Sequence, residues 1–348
     1  MVFYDSIPSV KVSVIMACHN SARFLPTSIK SVINQTFSDI ELIIVDDASD
    51  DESLSIARRA ARSDSRIRVY TLESNKGACL ARNIAIEKAK GEWIAILDAD
   101  DVFLSEKISL QIQQIKKSDS DLVLIGTDSY EIDTFGKRFS HQKYPCSSED
   151  LIGNLFRRKR FPPHSSLMYK TDIVRSIGCY NSRYRLAQDN DLWLRLSLYG
   201  SFASVNEPLV EYRHHDSNLS NKNDGFDQLK FGFAASICHF VRLDKHLDPS
   251  LSLSDADWIL FLNWIANRLE QESMRDYLKR RIEWKHELLD RKSSFKRILR
   301  LSNHILNNPS FLKRVLYERF KGTELPEIMA NEWIRQFGDR SIGDNIGN

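Results

Sequence analysis

The stretch "EWIAILDADDV", residues 92–102, decides the fold. An apolar run from Trp93 to Leu97 stops abruptly at Asp98, Asp100 and Asp101. A run of about four to eight apolar residues bounded by polar ones reads as a buried strand. Three carboxylates crowded at its end repel one another, and the natural partner for such a cluster is a cation.

Upstream of this stretch the chain alternates. "KVSVIMA" (11–17), "IELIIV" (40–45) and "IRVYTL" (67–72) read as strands. "ARFLPTSIKSVINQTF" (22–37) places Leu25, Ile29, Val32, Ile33 and Thr36 on one helical face. A helix is expected around 53–62, and another in "GACLARNIAIEKAK" (77–90), stopped by Gly91. Downstream, "LSEKISLQIQQI" (104–115) carries a stripe of Leu104, Ile108, Ile112 and Ile115, and "DLVLIG" (121–126) is a fifth strand. Strands alternating with helices predict an α/β fold, a mostly parallel sheet with helices on both faces. Ligands of such sheets bind beyond the carboxyl ends of the strands. Asp98 and Asp100 stand there, as do Asp46 and Asp47 in "IIVDDASDDES" and the "CHN" of residues 18–20.

Past Asp128 the pattern loosens. "FPPHSSLMYKTDIVRSIGCYNSRY" (161–184) is rich in turn residues, "AQDNDLWLRLSLYG" (187–200) opens a helix, and "VNEPLVEYRHHDSNLS" (205–220) is a strand running into a loop. "NKNDG" (221–225) is a linker candidate, followed by mostly helical periods. The expected domains are 1–222, with a first half at 10–126 and a second half at 127–222, and a mainly helical region at 223–348.

The totals fit this plan. The 348 residues are 42% hydrophobic and 28% charged, ordinary for a soluble protein of two domains. A net charge of +2 provides no global field for nucleic acid. The five cysteines are odd in number and form no C-x-x-C pair, which argues against a disulfide framework or a zinc site and fits a reducing cytosol. The opening "MVFYDSIPSVKV" has neither the basic nor the apolar region of a secretory signal, and "DWILFLNWIANR" is too short to span a bilayer. A cytoplasmic protein is therefore expected. Residues 291–321 hold nine Lys or Arg and one acidic residue, with apolar clusters between them. They read equally as a basic surface lying on the inner face of the plasma membrane or as a helical region with one solvated face.

Each acidic cluster by itself reads as readily as a helix cap or turn. Two such clusters after strands of one sheet point to a ligand. At this point "VSVIMACHNSARFLPTSIKSVINQTFSDIELIIVDDASDDES", "NKGACLARNIAIEKAKGEWIAILDADD" and "AQDNDLWLRL" resemble glycosyltransferase family 2, with its GT-A fold, from about Val10 to Ser220.

The resemblance implies an inverting, metal-dependent transfer of a hexose from a nucleotide-diphosphate sugar. A divalent cation neutralises charge developing on a diphosphate leaving group, and hard oxygen ligands suit Mn²⁺ or Mg²⁺. By the family pattern Asp100 binds the metal and Asp98 faces the ribose or sugar. Asp101 is expected to cap the next helix. The Asp46–Asp47 pair matches the nucleoside-binding position, where a carboxylate accepts the imide N–H of uracil or thymine, and a UDP-sugar is the expected donor. Ala17, His19 and Asn20 match the first loop, although Cys18 and His19 replace the family's usual residues there. Arg82 matches a donor-binding position. Asp189 matches the general base, with Gln188 where the family has Glu, and Asp191 caps the helix. His215 matches a histidine that approaches the metal, with His214 as its neighbouring competitor. His164 is expected to meet the incoming sugar.

The expected activity is non-processive transfer to a glycan or lipid-linked saccharide, because the chain lacks the spanning helices and the Gln-x-x-Arg-Trp motif of processive synthases. The alternatives are a nucleotidyltransferase, which "MACHNSARF" disfavours by lacking a Gly-rich phosphate loop, and a non-enzymatic acidic-pocket regulatory domain. Oligomeric state is left open.

Overall fold

A computed structural model describes residues 12–216, 225–272 and 324–337. They form two compact units. The first comprises residues 12–155, 160–185 and 192–215, and the second comprises 156–159, 186–191, 216, 225–272 and 324–337.

The first unit is built on one sheet. Strands β1 (Val12–Cys18), β2 (Ile40–Asp46), β3 (Ile67–Thr71) and β4 (Trp93–Ile96) lie parallel in the order β3-β2-β1-β4. Helices α1 (Leu25–Ile33), α2 (Ser53–Ser63) and α3 (Ala78–Lys88) connect them. Strand β2 is buried along its whole length, and β1 everywhere but Ala17. That is why their sequences read as continuous apolar runs rather than alternating ones. In α1, Leu25, Ile29 and Val32 are buried at helical spacing, and a proline sits in the first turn, where its missing N–H costs nothing.

Beyond β4 the sheet becomes mixed. The later elements are β5 (Val102–Phe103), α4 (Lys107–Ile115), β6 (Leu122–Ile132), β7 (Arg138–Gln142), α5 (Ser148–Phe156), a 3-10 turn (His164–Ser166), β8 (Met168–Lys170), α6 (Thr171–Ser176), α7 (Gln188–Leu196) and β9 (Ser201–Arg213). The strand expected at 121–126 is β6, but it is not the next parallel neighbour of β4. The three-residue β8 lies between them, antiparallel to both. Strand β9 then runs parallel to β6, and β5 antiparallel to β9. A three-residue and a two-residue strand are too short to show a period of two in sequence. The approach of β9 to β6 requires Gly200, where a Cβ would fall 2.0 Å from the Asp121 carbonyl oxygen.

The second unit is helical, with α8 (Phe226–Leu243), α9 (Pro249–Ser252), α10 (Asp255–Gln271) and α11 (Leu325–Gln336). Its core is aromatic: the Trp333 ring meets Phe261 at 4.6 Å and Phe337 at 4.3 Å. Ser254 caps α10 by accepting the Asp257 N–H. Among the described residues no helix is long and apolar enough to cross a membrane. The basic stretch 291–321 and most of the linker candidate, 221–224, lie outside the described residues.

Candidate active site

Strand β1 pairs with both β2 and β4, so Cys18 stands opposite Asp46 and Ile15 opposite Ile96. Three loops therefore leave the sheet side by side at its carboxyl edge. The first two are bonded to each other. His19 donates from Nδ1 to the Asp47 carbonyl at 2.8 Å, because a carbonyl only accepts. The Asn20 N–H reaches Ser49 Oγ at 3.0 Å, and the Asp50 N–H reaches Asn20 Oδ1 at 2.8 Å. Asn20 and Ala48 take left-handed backbone, with φ of 50° and 53°. Such conformations persist where the surroundings over-determine them.

Asp46 and Asp47 are both buried. The two oxygens of Asp47 accept the N–H groups of Lys76, at 2.7 Å, and Gly77, at 2.8 Å. Gly77 has φ 90° and ψ 157° at the N-cap of α3, a conformation that L side chains rarely adopt. Asp46 accepts the Ser49 N–H at 3.1 Å, with the Cys18 thiol 3.8 Å away. Burial first, then Asp46, pushes the Cys18 thiol up to about 12, so it stays protonated and is no nucleophile.

Helix α3 carries Arg82 to the third loop. Its Nη2 donates to Asp98 Oδ1 at 2.7 Å, while His164 Nδ1 lies 3.5 Å from Asp98 Oδ2. Burial alone would raise the Asp98 carboxyl, but Arg82 and His164 outweigh it and hold that carboxyl well below the usual range. Among the described residues the buried Arg82 Nη1 has no hydrogen-bond partner, which leaves a donor for an acceptor on a ligand. His164, expected to meet the incoming sugar, is buried here between Asp98 and the Tyr180 hydroxyl, 2.8 Å from its Nε2.

Asp100 Oδ2 lies 2.8 Å from His215 Nε2. His214 instead faces Glu131, at 3.4 Å. Asp101 caps no helix: α4 begins six residues later behind Glu106, and Asp101 is buried between the Ser165 hydroxyl and the Arg213 N–H. Burial, with Asp100 and Asp98 beside it, pushes its carboxyl well above the usual range. Among the described residues no three His, Cys, Asp or Glu side chains form a metal cage. A carboxylate and an imidazole at hydrogen-bond distance do suit a divalent ion that takes its remaining ligands from phosphate oxygens and water.

Asp189 belongs to the second unit, in the first turn of α7, half-buried, with its Oδ1 accepting the Asn190 N–H at 2.8 Å. In the same unit, burial lowers the Arg158 guanidinium to about 10, with Asp189 pulling the other way. Asp191 is buried in that first turn.

No motif in the sequence marks Ser165, Tyr180 or Arg213, which also stand here. Ser165 and Arg213 act partly through backbone groups, and no residue-type pattern marks such contacts. "PPHSS" drew attention to His164 alone.

Comparison with known proteins is consistent with this geometry. Residues 13–178 match the family described as glycosyl transferase family 2. The chain is 32% identical over 213 residues to the O-antigen biosynthesis glycosyltransferase WbnJ of Escherichia coli, covering 60% of this chain and 81% of that one. Its fold is similar to S. aureus TarS 1–349 in complex with UDP-GlcNAc, at TM-score 0.56 and 19% identity over 74% of this chain and 72% of that one. It is also similar to the mannosyltransferase PcManGT from Pyrobaculum calidifontis in complex with GDP-Man and Mn²⁺, at TM-score 0.50 and 16% identity over 93% and 86%.

Proposed function

This chain belongs to glycosyl transferase family 2, and we propose that it moves a hexose from a UDP-sugar to a saccharide or lipid-linked saccharide, with inversion and one sugar per encounter. The observation that carries this reading is the meeting of the Asp46–Asp47 and Asp98–Asp100 loops on either side of the β1 end. The UDP-GlcNAc held by TarS supports the choice of donor, and the O-antigen role in the name of WbnJ supports a glycan acceptor.

In this reading Ala17, His19, Asn20 and the Asp46–Asp47 pair hold the nucleoside. The bonds from Lys76 and Gly77 fix Asp47 before the donor arrives, so little ordering remains to be done on binding. Arg82 aligns Asp98 toward the ribose or sugar and offers its spare Nη1 to the donor. Asp100 and His215 hold the divalent ion, Mn²⁺ or Mg²⁺, which when bound stabilises charge on the departing diphosphate. Asp189 takes the proton from the acceptor hydroxyl as it attacks the anomeric carbon. A single displacement inverts the configuration there.

The test is a panel of UDP-, dTDP- and GDP-sugars with Mn²⁺, read by release of the nucleotide diphosphate. UDP release is the expected outcome. Release from none of the donors, with or without a saccharide acceptor, would contradict the reading.

A further inference from the structure

His215 lies two residues beyond the end of β9, in a segment without regular structure. Fixing residues there costs backbone entropy, so its meeting with Asp100 needs an anchor. The bonds around Arg213 provide one. The Arg213 N–H donates to Asp101 Oδ1 at 2.8 Å. Its Nε donates to the Asp100 carbonyl at 2.7 Å, and its Nη1 to the Asp133 carbonyl at 3.2 Å. Asp101 is held from its other side, where the Ser165 hydroxyl donates to Oδ2 at 2.5 Å and Ser165 Oγ also accepts the Asp98 N–H at 3.1 Å. The Ser28 hydroxyl lies 2.7 Å from the Asp101 carbonyl and 2.9 Å from that of Ala99. The Phe24 ring completes the arrangement, 4.9 Å from the Arg213 guanidinium and 4.9 Å from the His215 ring.

We propose that Asp101 and Arg213 form a latch that fixes the end of β9 to the 98–101 turn and so carries His215 to Asp100. Both are positioning residues, acting through His215 rather than on the donor. The proposal rests on the reading of Asp100 and His215 as metal ligands. Asp101 is invisible as such in sequence, where it looks like a third ligand or a helix cap. Its buried carboxyl group, bonded through both oxygens, makes it the joint between two loops.

The experiment is Mn²⁺ affinity, read by electron paramagnetic resonance in the presence of UDP, for the wild type and a set of variants. The set is Asp100→Ala, His215→Ala, Asp101→Ala, Asp101→Asn and Arg213→Gln, with Asp101→Ala and Arg213→Gln each also combined with His215→Ala. Partners that orient a metal ligand are typically worth about 10–100-fold in metal affinity. Asp101→Ala and Arg213→Gln are expected to lose affinity in that range, and to add little to the loss in His215→Ala, because they act through the same side chain. Asp101→Asn keeps an oxygen for the Arg213 N–H and is expected to recover most of it. Circular dichroism and thermal melts qualify each variant. Phe24→Leu, at a half-buried ring, serves the same test with the same expected direction if the buried variants do not fold. Wild-type Mn²⁺ affinity in folded latch variants, alongside weakened binding in Asp100→Ala and His215→Ala, would overturn the latch and leave the metal reading standing. Wild-type affinity in Asp100→Ala itself would remove the metal reading and the latch with it.

Discussion

His215 Nε2 sits 2.8 Å from Asp100 Oδ2, while its neighbour His214 turns to Glu131. In sequence the two histidines compete for one role. The structure separates them, His215 to Asp100 and His214 to Glu131 and the Phe139 ring. This pairing joins residues 115 positions apart and brings the end of β9 to the turn after β4.

Asp189→Asn keeps the shape of the side chain and removes the base. Transfer is expected to fall by about 10²–10⁴-fold, the usual worth of a positioned general base. Donor and Mn²⁺ affinity should change little, because the proposed partner of Asp189 is the acceptor hydroxyl. Single-turnover rates beside equilibrium UDP-sugar binding check this, and near-normal turnover would exclude Asp189 as the base.

Arg82→Gln removes the cation that holds Asp98. Removing one partner of a fully buried pair costs about 3–5 kcal/mol. The Asp98 side chain is 28% exposed, so a smaller loss of about 1–3 kcal/mol is expected here. The KM for donor should rise more than kcat falls, because an ordered Asp98 and the spare Nη1 both serve binding. Denaturant melts and steady-state kinetics on the same variant measure the two effects.

Gly77→Ala places a side chain at φ 90° and ψ 157°. Such strain is worth about 1–3 kcal/mol. Among the described residues nothing lies within 4 Å of the new Cβ, so the effect is one of backbone conformation and not of a clash. Because the Gly77 N–H holds Asp47, donor KM should rise along with the loss of stability. An unchanged melting temperature would show that the turn relaxes freely.

His239 links the second unit to pH. Its ring is fully buried against Phe156, and among the described residues neither ring nitrogen has a hydrogen-bond partner. Burial first, and Arg242 next, depress it to about 4, with Asp248 opposing. The neutral form is the one the fold accommodates. Its contribution is therefore fully present above about 6.5, the unfolded value, and is lost as pH falls through about 4. Across that window the loss amounts to about 3 kcal/mol. Melting temperatures from pH 7 to 4 should fall for the wild type and fall less for His239→Phe. Parallel curves would show that the ring is not the acid-sensitive group.

Much of the first unit was legible because burial writes itself into the chain. Strands β1 and β2 are covered on both faces and read as apolar runs, and the stripe of α1 reads as Leu25, Ile29 and Val32. The carboxylates of Asp46 and Asp98 were legible because charge directly after an apolar strand is anomalous. Strand β8 was not, because three residues carry no period, and its place between β4 and β6 is set by tertiary pairing. Asp101 was misread for a related reason. Its neighbours in sequence make it look like a cap, whereas its partners, Ser165 and Arg213, lie 64 and 112 residues away. His164 faces Asp98 and Tyr180 because the 3-10 turn His164–Ser166 brings Ser165 to the Asp98 N–H, a backbone contact that leaves no trace in residue type.

The most direct measurement is UDP release from a UDP-sugar by the wild type and by Asp100→Ala, each with Mn²⁺ and with excess chelator. Release is expected to depend on Mn²⁺ in the wild type and to be lost both in chelator and in a folded Asp100→Ala protein. Full release by Asp100→Ala, or by the wild type in excess chelator, would contradict this expectation.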